Sequence, residues 1–203
     1  MLVKICGITR ASDAAAAVEY GASAIGFIFW ARGARYVDPQ RARDIVRTLP
    51  PFVTPVGVFV NETAEHINAV ADIVGLGAVQ LHGDETPDML DAMTRPIVKA
   101  VGRVDDGTAE RWPERVMLLV DADDPVNRGG TGARADWQGA ARLAATRRTL
   151  LAGGLKPENV AEAVAAVHPF GIDVSSGVED APGIKNRDRI RQLFEALRGV
   201  PRS

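Results

Sequence analysis

The chain has 203 residues, 46% hydrophobic and 25% charged, with 24 basic and 26 acidic side chains and a formal net charge of -2. Such a chain fills one sizeable core and not two comfortable ones, so a single domain over residues 1–203 is expected. So small a net charge gathers neither nucleic acid nor an anionic membrane surface, although backbone amides can still hold a small anion locally.

Short apolar runs alternate with helical stretches along the chain. Residues 2–8, LVKICGI, read as a strand, and ASDAAAAVEYG (11–21) as a helix ending on a glycine. SAIGFIF (23–29) is a second strand, followed by the helix DPQRARDIVRTLP (38–50) with Pro39 near its first turn. TPVGVFV (54–60) then leads into the helix TAEHINAVADIVG (63–75), closed by Gly75. GAVQLHG (77–83) and PIVKAVG (96–102) are the fourth and fifth strands, and RVDDGTAERWPE after them is too short and broken for a full helix. RVMLLVD (115–121) runs into DADDPVNRGGTGARAD (121–136), the one notable loop-like stretch. TLLAGG (149–154), the helix KPENVAEAVAAV (156–167) with Pro157 near its start, FGIDVSSG (170–177) and the helix NRDRIRQLFEAL (186–197) complete the chain.

Most of these strands are continuously apolar, the pattern of parallel strands buried on both faces. Their spacing is near the minimum for a βα unit with short connections. Eight such units could form an open doubly wound sheet, but eight is the number that closes, and closure removes both edges. The expected fold is therefore α/β, a single (β/α)8 barrel. The one cysteine allows no internal disulfide, MLVKICGITR has no long apolar signal core, and no apolar run approaches the roughly 20 residues that span a bilayer. A cytoplasmic protein is expected.

In such barrels the site lies at the carboxyl ends of the strands. The first strand presents Cys6, followed by an uncrowding Gly7. A lone cysteine is commonly a small buried hydrophobe, but a thiolate at a barrel mouth is a competent base once its pKa falls toward neutrality. Lys4 points to the same side one pleat lower, where it either adds positive potential or pairs with Asp173 on the adjoining eighth strand; pairing is the preferred reading. The sixth strand ends at Asp121 and is followed by the glycine-rich GGTG (129–132), not by an immediate helix. A partly shielded carboxyl with acidic neighbours such as Asp123 and Asp124 holds its proton to higher pH and can act as an acid.

The seventh and eighth strands end in small residues, where open backbone amides and hydroxyls suit a phosphate. Gly153, Gly154, Ser175, Ser176 and Gly177 are the candidates, against the plainer reading that the glycines only turn the chain. Arg35, after the second strand, is placed to grip a carboxylate with two parallel hydrogen bonds. His82 faces the same side as Gln80, and both are candidate substrate contacts with Gly132 of the glycine-rich loop. His66 and His168 fall in or after helices and read as structural, and three scattered histidines argue against a multi-histidine metal centre.

KICG, QLHG, LLVD…GGTG, LAGGL and DVSSGVE, in that order over nearly the whole chain, resemble the phosphoribosylanthranilate isomerase family. The resemblance implies an Amadori rearrangement in tryptophan biosynthesis on a phosphorylated small molecule, with no cofactor and no metal, by a monomer or homodimer. It implies that Cys6 is the general base and Asp121 the general acid, that Arg35 meets the anthranilate carboxylate, and that the strand-seven and strand-eight residues hold the phosphate. ARGARYV around Arg35 lacks the serine and proline expected in that loop. Three aspartates near the sixth strand leave Asp123 and Asp124 as alternative acids; Asp121 is preferred because strand ends are held more rigidly than loops. The histidine-pathway isomerase of the same chemistry carries an aspartate where Cys6 stands, and indole-3-glycerol phosphate synthase needs a lysine and glutamate set. A non-catalytic phosphate sensor would have no use for both an acid and a base at the mouth.

Overall fold

Eight parallel strands close on one another in the order β1 to β8 in a computed structural model that describes residues 1–105, 107–122 and 135–200. They are β1 (Leu2–Ile5), β2 (Ala24–Ile28), β3 (Thr54–Phe59), β4 (Ala78–Leu81), β5 (Ile97–Val101), β6 (Met117–Val120), β7 (Thr149–Leu151) and β8 (Gly171–Val174). The seam pairs β1 with β8, Lys4 opposite Asp173. Each strand is shorter than its apolar run, because the last residues of the run turn away to form the mouth.

Strand pleating sends alternate side chains to opposite faces. Val3, Ile5, Ile25, Phe27, Leu81, Leu118, Leu151 and Ile172 pack outward against the helices in one large core. Leu119, Leu150, Ala100 and Ala152 form a separate small core within the barrel, lined by Leu2, Val98 and Met117. Parity then assigns the inner face its upper layers: Lys4 and Cys6 above Leu2, Gln80 and His82 above Ala78, Asp121 above Leu119, and Asp173 and Ser175 above Gly171. Gly26 makes room for the first pair, since a Cβ there would stand 2.7 Å from Cys6 Sγ and 3.0 Å from Lys4 Cε.

The helices are α1 (Ala11–Tyr20), α2 (Pro39–Val46), α3 (Ala64–Val74), α4 (Thr108–Arg111), α5 (Trp137–Ala144), α6 (Val160–Val167) and α7 (Arg187–Arg198). Expected signals start and stop several of them. Asp38 caps α2 ahead of Pro39, Thr63 caps α3, and Gly21 and Gly75 close α1 and α3 in left-handed conformations. Other boundaries differ from the sequence pattern. The α2 helix stops at Val46, and Pro157 lies in a turn before α6, where Asn159 links the Lys156 N–H to the Gly154 carbonyl. Helix α5 is a single short run that carries Gly139, a poor helix former, and a 3-10 helix over Pro87–Ala92 joins β4 to β5. After β8 come a 3-10 turn, Ser176–Val178, and an antiparallel hairpin of β9 (Glu179–Ala181) and β10 (Ile184–Lys185). No helix among the described residues is long and apolar enough to cross a membrane.

Among its described residues the broken connection between β5 and β6 contains only the single turn α4, which leaves carbonyls without helical partners. Arg147 supplies them, donating to the carbonyls of Ala109, Trp112, Pro113 and Val116 from the turn before β7. Arg147→Met strips these charge-assisted bonds while keeping the aliphatic stem. It should lower the denaturant midpoint by about 2–4 kcal/mol of stability with little effect on ligand binding at the opposite end of the barrel. A loss below about 0.5 kcal/mol would show that the connection holds itself.

Candidate active site

Cys6 follows the last residue of β1 and is anchored by its N–H donating to the Val174 carbonyl at 2.9 Å. Gly7 turns the chain away with φ +75, and a Cβ there would meet Arg35 Cδ at 2.6 Å and Ser175 Oγ at 3.1 Å. That position must be glycine on both counts. Below the thiol, Lys4 is 1% exposed and donates to Asp173 Oδ2 and Gln80 Oε1, each at 2.9 Å. The preferred pairing of Lys4 with Asp173 is thus the one observed. Burial pulls the Lys4 ammonium down, but the charges of Asp173 and Cys6 outweigh it and hold its pKa above the usual value. For Cys6 burial dominates: it pushes the thiol up, Lys4 pulls it back, and the balance lies above the ordinary thiol value. The thiol is therefore not lowered toward neutrality, because loss of water costs a thiolate more than one ammonium returns.

Asp121 stands directly after β6, its N–H bonded to the Val101 carbonyl at 3.1 Å. One oxygen, Oδ1, accepts from the Ala122 N–H at 2.8 Å, and Oδ2 lies 3.4 Å from His82 Nε2. The shielding expected for it is met, since both side chains are only 13% exposed. Its nearest described ionisable neighbour is a histidine; Asp123, Asp124 and Gly132 fall outside the described residues. His82 continues inward, Nδ1 lying 2.8 Å from Gln80 Nε2. Gln80 is 1% exposed with both ends of its amide engaged by Lys4 and His82, which puts it beneath the site floor and not on its surface.

Arg35 holds the two parallel bonds expected of it, but its partner is internal. Its Nε and Nη2 donate to Glu179 at 3.0 and 2.8 Å. Glu179 also accepts from Lys185 Nζ at 2.7 Å, and that ammonium reaches the Ser175 carbonyl at 3.1 Å. The hairpin carrying both residues is tied to α1, where Asp13 accepts the Lys185 N–H at 2.9 Å and is itself held by Arg10. Burial pushes Glu179 up, but Arg35 and Lys185 outweigh it and hold its carboxyl below the usual carboxylate range. Burial lowers Lys185, with Glu179 offsetting part of the shift. Sequence reasoning missed Glu179 and Lys185; a signal was present in the acidic residue directly after the strand-eight glycine and valine.

Gly153 and Gly154 both have positive φ, +76 and +64, so the turn after β7 requires them conformationally whatever else they do. Gly177 packs against the Leu155 carbonyl with no room for a Cβ, which brings the β7 and β8 loops together. Ser176 opens the 3-10 turn beside them. Ser175 lies toward β1, and its Oγ is buried with no hydrogen-bond partner among the described residues. Apart from Gly132, each candidate sits at the same end of the barrel, in or directly beneath the mouth. His66 lies in α3, and His168 caps α6 in a left-handed conformation.

The family model of N-(5'phosphoribosyl)anthranilate (PRA) isomerase matches residues 3–196. An N-(5'-phosphoribosyl)anthranilate isomerase of Geobacter sp. (strain M21) is 46% identical over 193 residues, covering 94% of this chain and 95% of that one. A solved phosphoribosyl anthranilate isomerase in complex with reduced 1-(o-carboxyphenylamino)-1-deoxyribulose 5-phosphate superposes with a TM-score of 0.86 at 40% identity, over 98% of this chain and 100% of that one. A second, described as mutually generated monomers of the dimeric isomerase of Thermotoga maritima, has a TM-score of 0.86 at 39% identity, over 98% and 100%.

The lowered Glu179 carboxyl makes its contribution to stability depend on pH. A group whose folded pKa is depressed stabilises above its unfolded value, about 4.3 for glutamate, and loses that contribution as pH falls through the folded value. Glu179→Gln should therefore be clearly less stable than the parent at pH 7, and the two should converge as pH falls through the acid range. Parallel acid-unfolding curves, offset equally at every pH, would remove Glu179 from the acid titration.

Proposed function

This chain belongs to the N-(5'-phosphoribosyl)anthranilate isomerase family, and from that membership we propose that it converts N-(5-phosphoribosyl)anthranilate to 1-(2-carboxyphenylamino)-1-deoxyribulose 5-phosphate in tryptophan biosynthesis. The observation that carries the assignment of roles is the shared inward face of Cys6 and Asp121, at the ends of strands three apart around the closed ring. A sugar lying across the mouth then has a base on one side and an acid on the other.

Asp121 gives its proton to the ribose ring oxygen as the bond to C1′ breaks, opening the ring to a protonated Schiff base. The Cys6 thiolate removes the proton from C2′, and the electron pair moves into an enolamine. The proton given by Asp121 is matched by the one taken by Cys6, and the enolamine tautomerises to the ketose. No redox step occurs, and the roles call for neither metal nor nucleotide.

Two anionic ends of the substrate need holding. Arg35, its orientation set by Glu179, is assigned to the anthranilate carboxylate, with His82 beside the reacting sugar and Gln80 supporting from below. Arg35 and Lys185 share the single carboxylate of Glu179, so this trio has positive charge to spare for an anion. Gly153, Gly154, Ser176 and Gly177 are assigned to the phosphate, and the orphaned Ser175 hydroxyl is a further donor for a ligand oxygen. The chain works in the cytoplasm as one barrel domain, a monomer or a homodimer, on this small phosphorylated partner and on neither nucleic acid nor membrane.

The purified protein should turn over phosphoribosylanthranilate without added metal or nucleotide. Cys6→Ser and Asp121→Asn should each lower kcat by a hundredfold or more, on the order of one lost acid or base, roughly 10²–10⁴. If Asp121→Asn keeps full activity, the acid is to be sought at Asp123 or Asp124. A parent that binds phosphorylated ligands without turnover is a sensor and not an isomerase. The pH dependence tests the base separately, because a base works deprotonated and burial has raised this thiol. Over the alkaline range kcat/KM should keep rising past about pH 8.5, the ordinary thiol value. A plateau already reached at neutral pH would mean that the thiol is not the titrating base of the free enzyme.

A further inference from the structure

We infer that Lys4 and Gln80 form an orienting relay that decides which ring nitrogen of His82 carries its hydrogen, and that the relay thereby holds Asp121 for proton delivery to the substrate. This rests on the reading of Asp121 as the acid. The chain of contacts runs beneath the mouth from Lys4 to Asp121: Lys4 Nζ to Gln80 Oε1 at 2.9 Å, Gln80 Nε2 to His82 Nδ1 at 2.8 Å, and His82 Nε2 to Asp121 Oδ2 at 3.4 Å.

The direction of each bond follows from donor chemistry. An ammonium has three donors and no acceptor, so the Gln80 group facing Lys4 must be its carbonyl oxygen. Lys4 is held charged by Asp173 at 2.9 Å, which closes the alternative of a neutral amine accepting from the amide. The Gln80 NH2 is thereby turned to His82, and a donor there requires a lone pair on Nδ1. The ring hydrogen consequently sits on Nε2, facing Asp121 Oδ2.

This tautomer has a chemical consequence. A lone pair on Nε2 would compete with the substrate for the proton of Asp121. A hydrogen there cannot accept that proton, so the ring oxygen of the sugar becomes its destination. Once the proton has left, the carboxylate has the Ala122 N–H already donating to Oδ1 and the His82 Nε2–H standing 3.4 Å from Oδ2, close enough to stabilise the new charge. Lys4 and Gln80 touch no substrate and are positioning residues. The ammonium whose charge acts on Cys6 from one pleat below also sets the geometry at the acid, so one buried charge bears on both base and acid.

The test is the nitrogen-15 NMR signature of the His82 ring at pH 7, taken on the full chain labelled at its 3 histidines, with His82→Gln identifying the resonances. The parent should show the hydrogen on Nε2 and an unprotonated Nδ1. Gln80→Glu presents an acceptor-only group to the ring and should move a hydrogen onto Nδ1. In that variant kcat should fall about ten- to a hundredfold, part of the full contribution of an acid, with KM changed less than about threefold. Gln80→Met, which neither donates nor accepts, should give mixed tautomers and an intermediate kcat. A parent spectrum with the hydrogen on Nδ1 overturns the relay even if neither variant folds. So does an Nδ1 signal that stays unprotonated in a folded Gln80→Glu protein. A parent with the expected tautomer but no turnover of phosphoribosylanthranilate instead overturns the reaction, and with it the catalytic purpose of the relay.

Discussion

One buried ammonium group, that of Lys4, sits where the barrel closes and ties the closure of the fold to its mouth. Taking such a charge out of water costs several kcal/mol, and only good geometry with a counter-charge offsets it. Asp173 supplies that charge from the strand that β1 must meet to close the ring, and the two residues face each other in register. A slip of β8 by one residue would turn Asp173 to the helix side and leave the ammonium with the neutral Gln80 but no counter-charge. The charge pair therefore disfavours wrong closures more than it stabilises the right one.

The layers above inherit that constraint. Cys6 lies one pleat higher on the same strand, with its protonation set by a contest between burial and the Lys4 charge. Gln80 extends the influence of Lys4 across the barrel to β4, and His82 carries it to β6. Small residues on β2 make this crowding possible, because any side chain at Gly26 would occupy the space of Lys4 and Cys6.

At the rim a second charged group has a different origin. Arg35 comes from the loop after β2, and Glu179 and Lys185 come from a hairpin inserted after β8. The hairpin is braced from below by Asp13 of α1, so the rim is tied to the helix layer instead of hanging free. Lys4 and Asp173 balance each other, whereas Arg35 and Lys185 outnumber Glu179.

The eight strands were legible in the sequence because each is continuously apolar, a direct result of burial on both faces. The positions of Cys6 and Asp121 were legible because a polar residue ending such a run has to lie at a mouth. Lys4 with Asp173 was readable because the two lie on strands that closure makes neighbours. Helix α5 was not, since it is only eight residues long and carries Gly139, a poor helix former, and the hairpin β9–β10 is too short to alternate. The partner of Arg35 was invisible for a different reason. Glu179 is 144 residues away, and a fork built to grip a carboxylate says nothing about whose carboxylate it holds. Local pattern determined the elements, their order and the residues at their ends. Only the closed barrel decided which of those residues meet, because contacts between distant strands depend on register and twist and leave no trace in the spacing of the residues that make them.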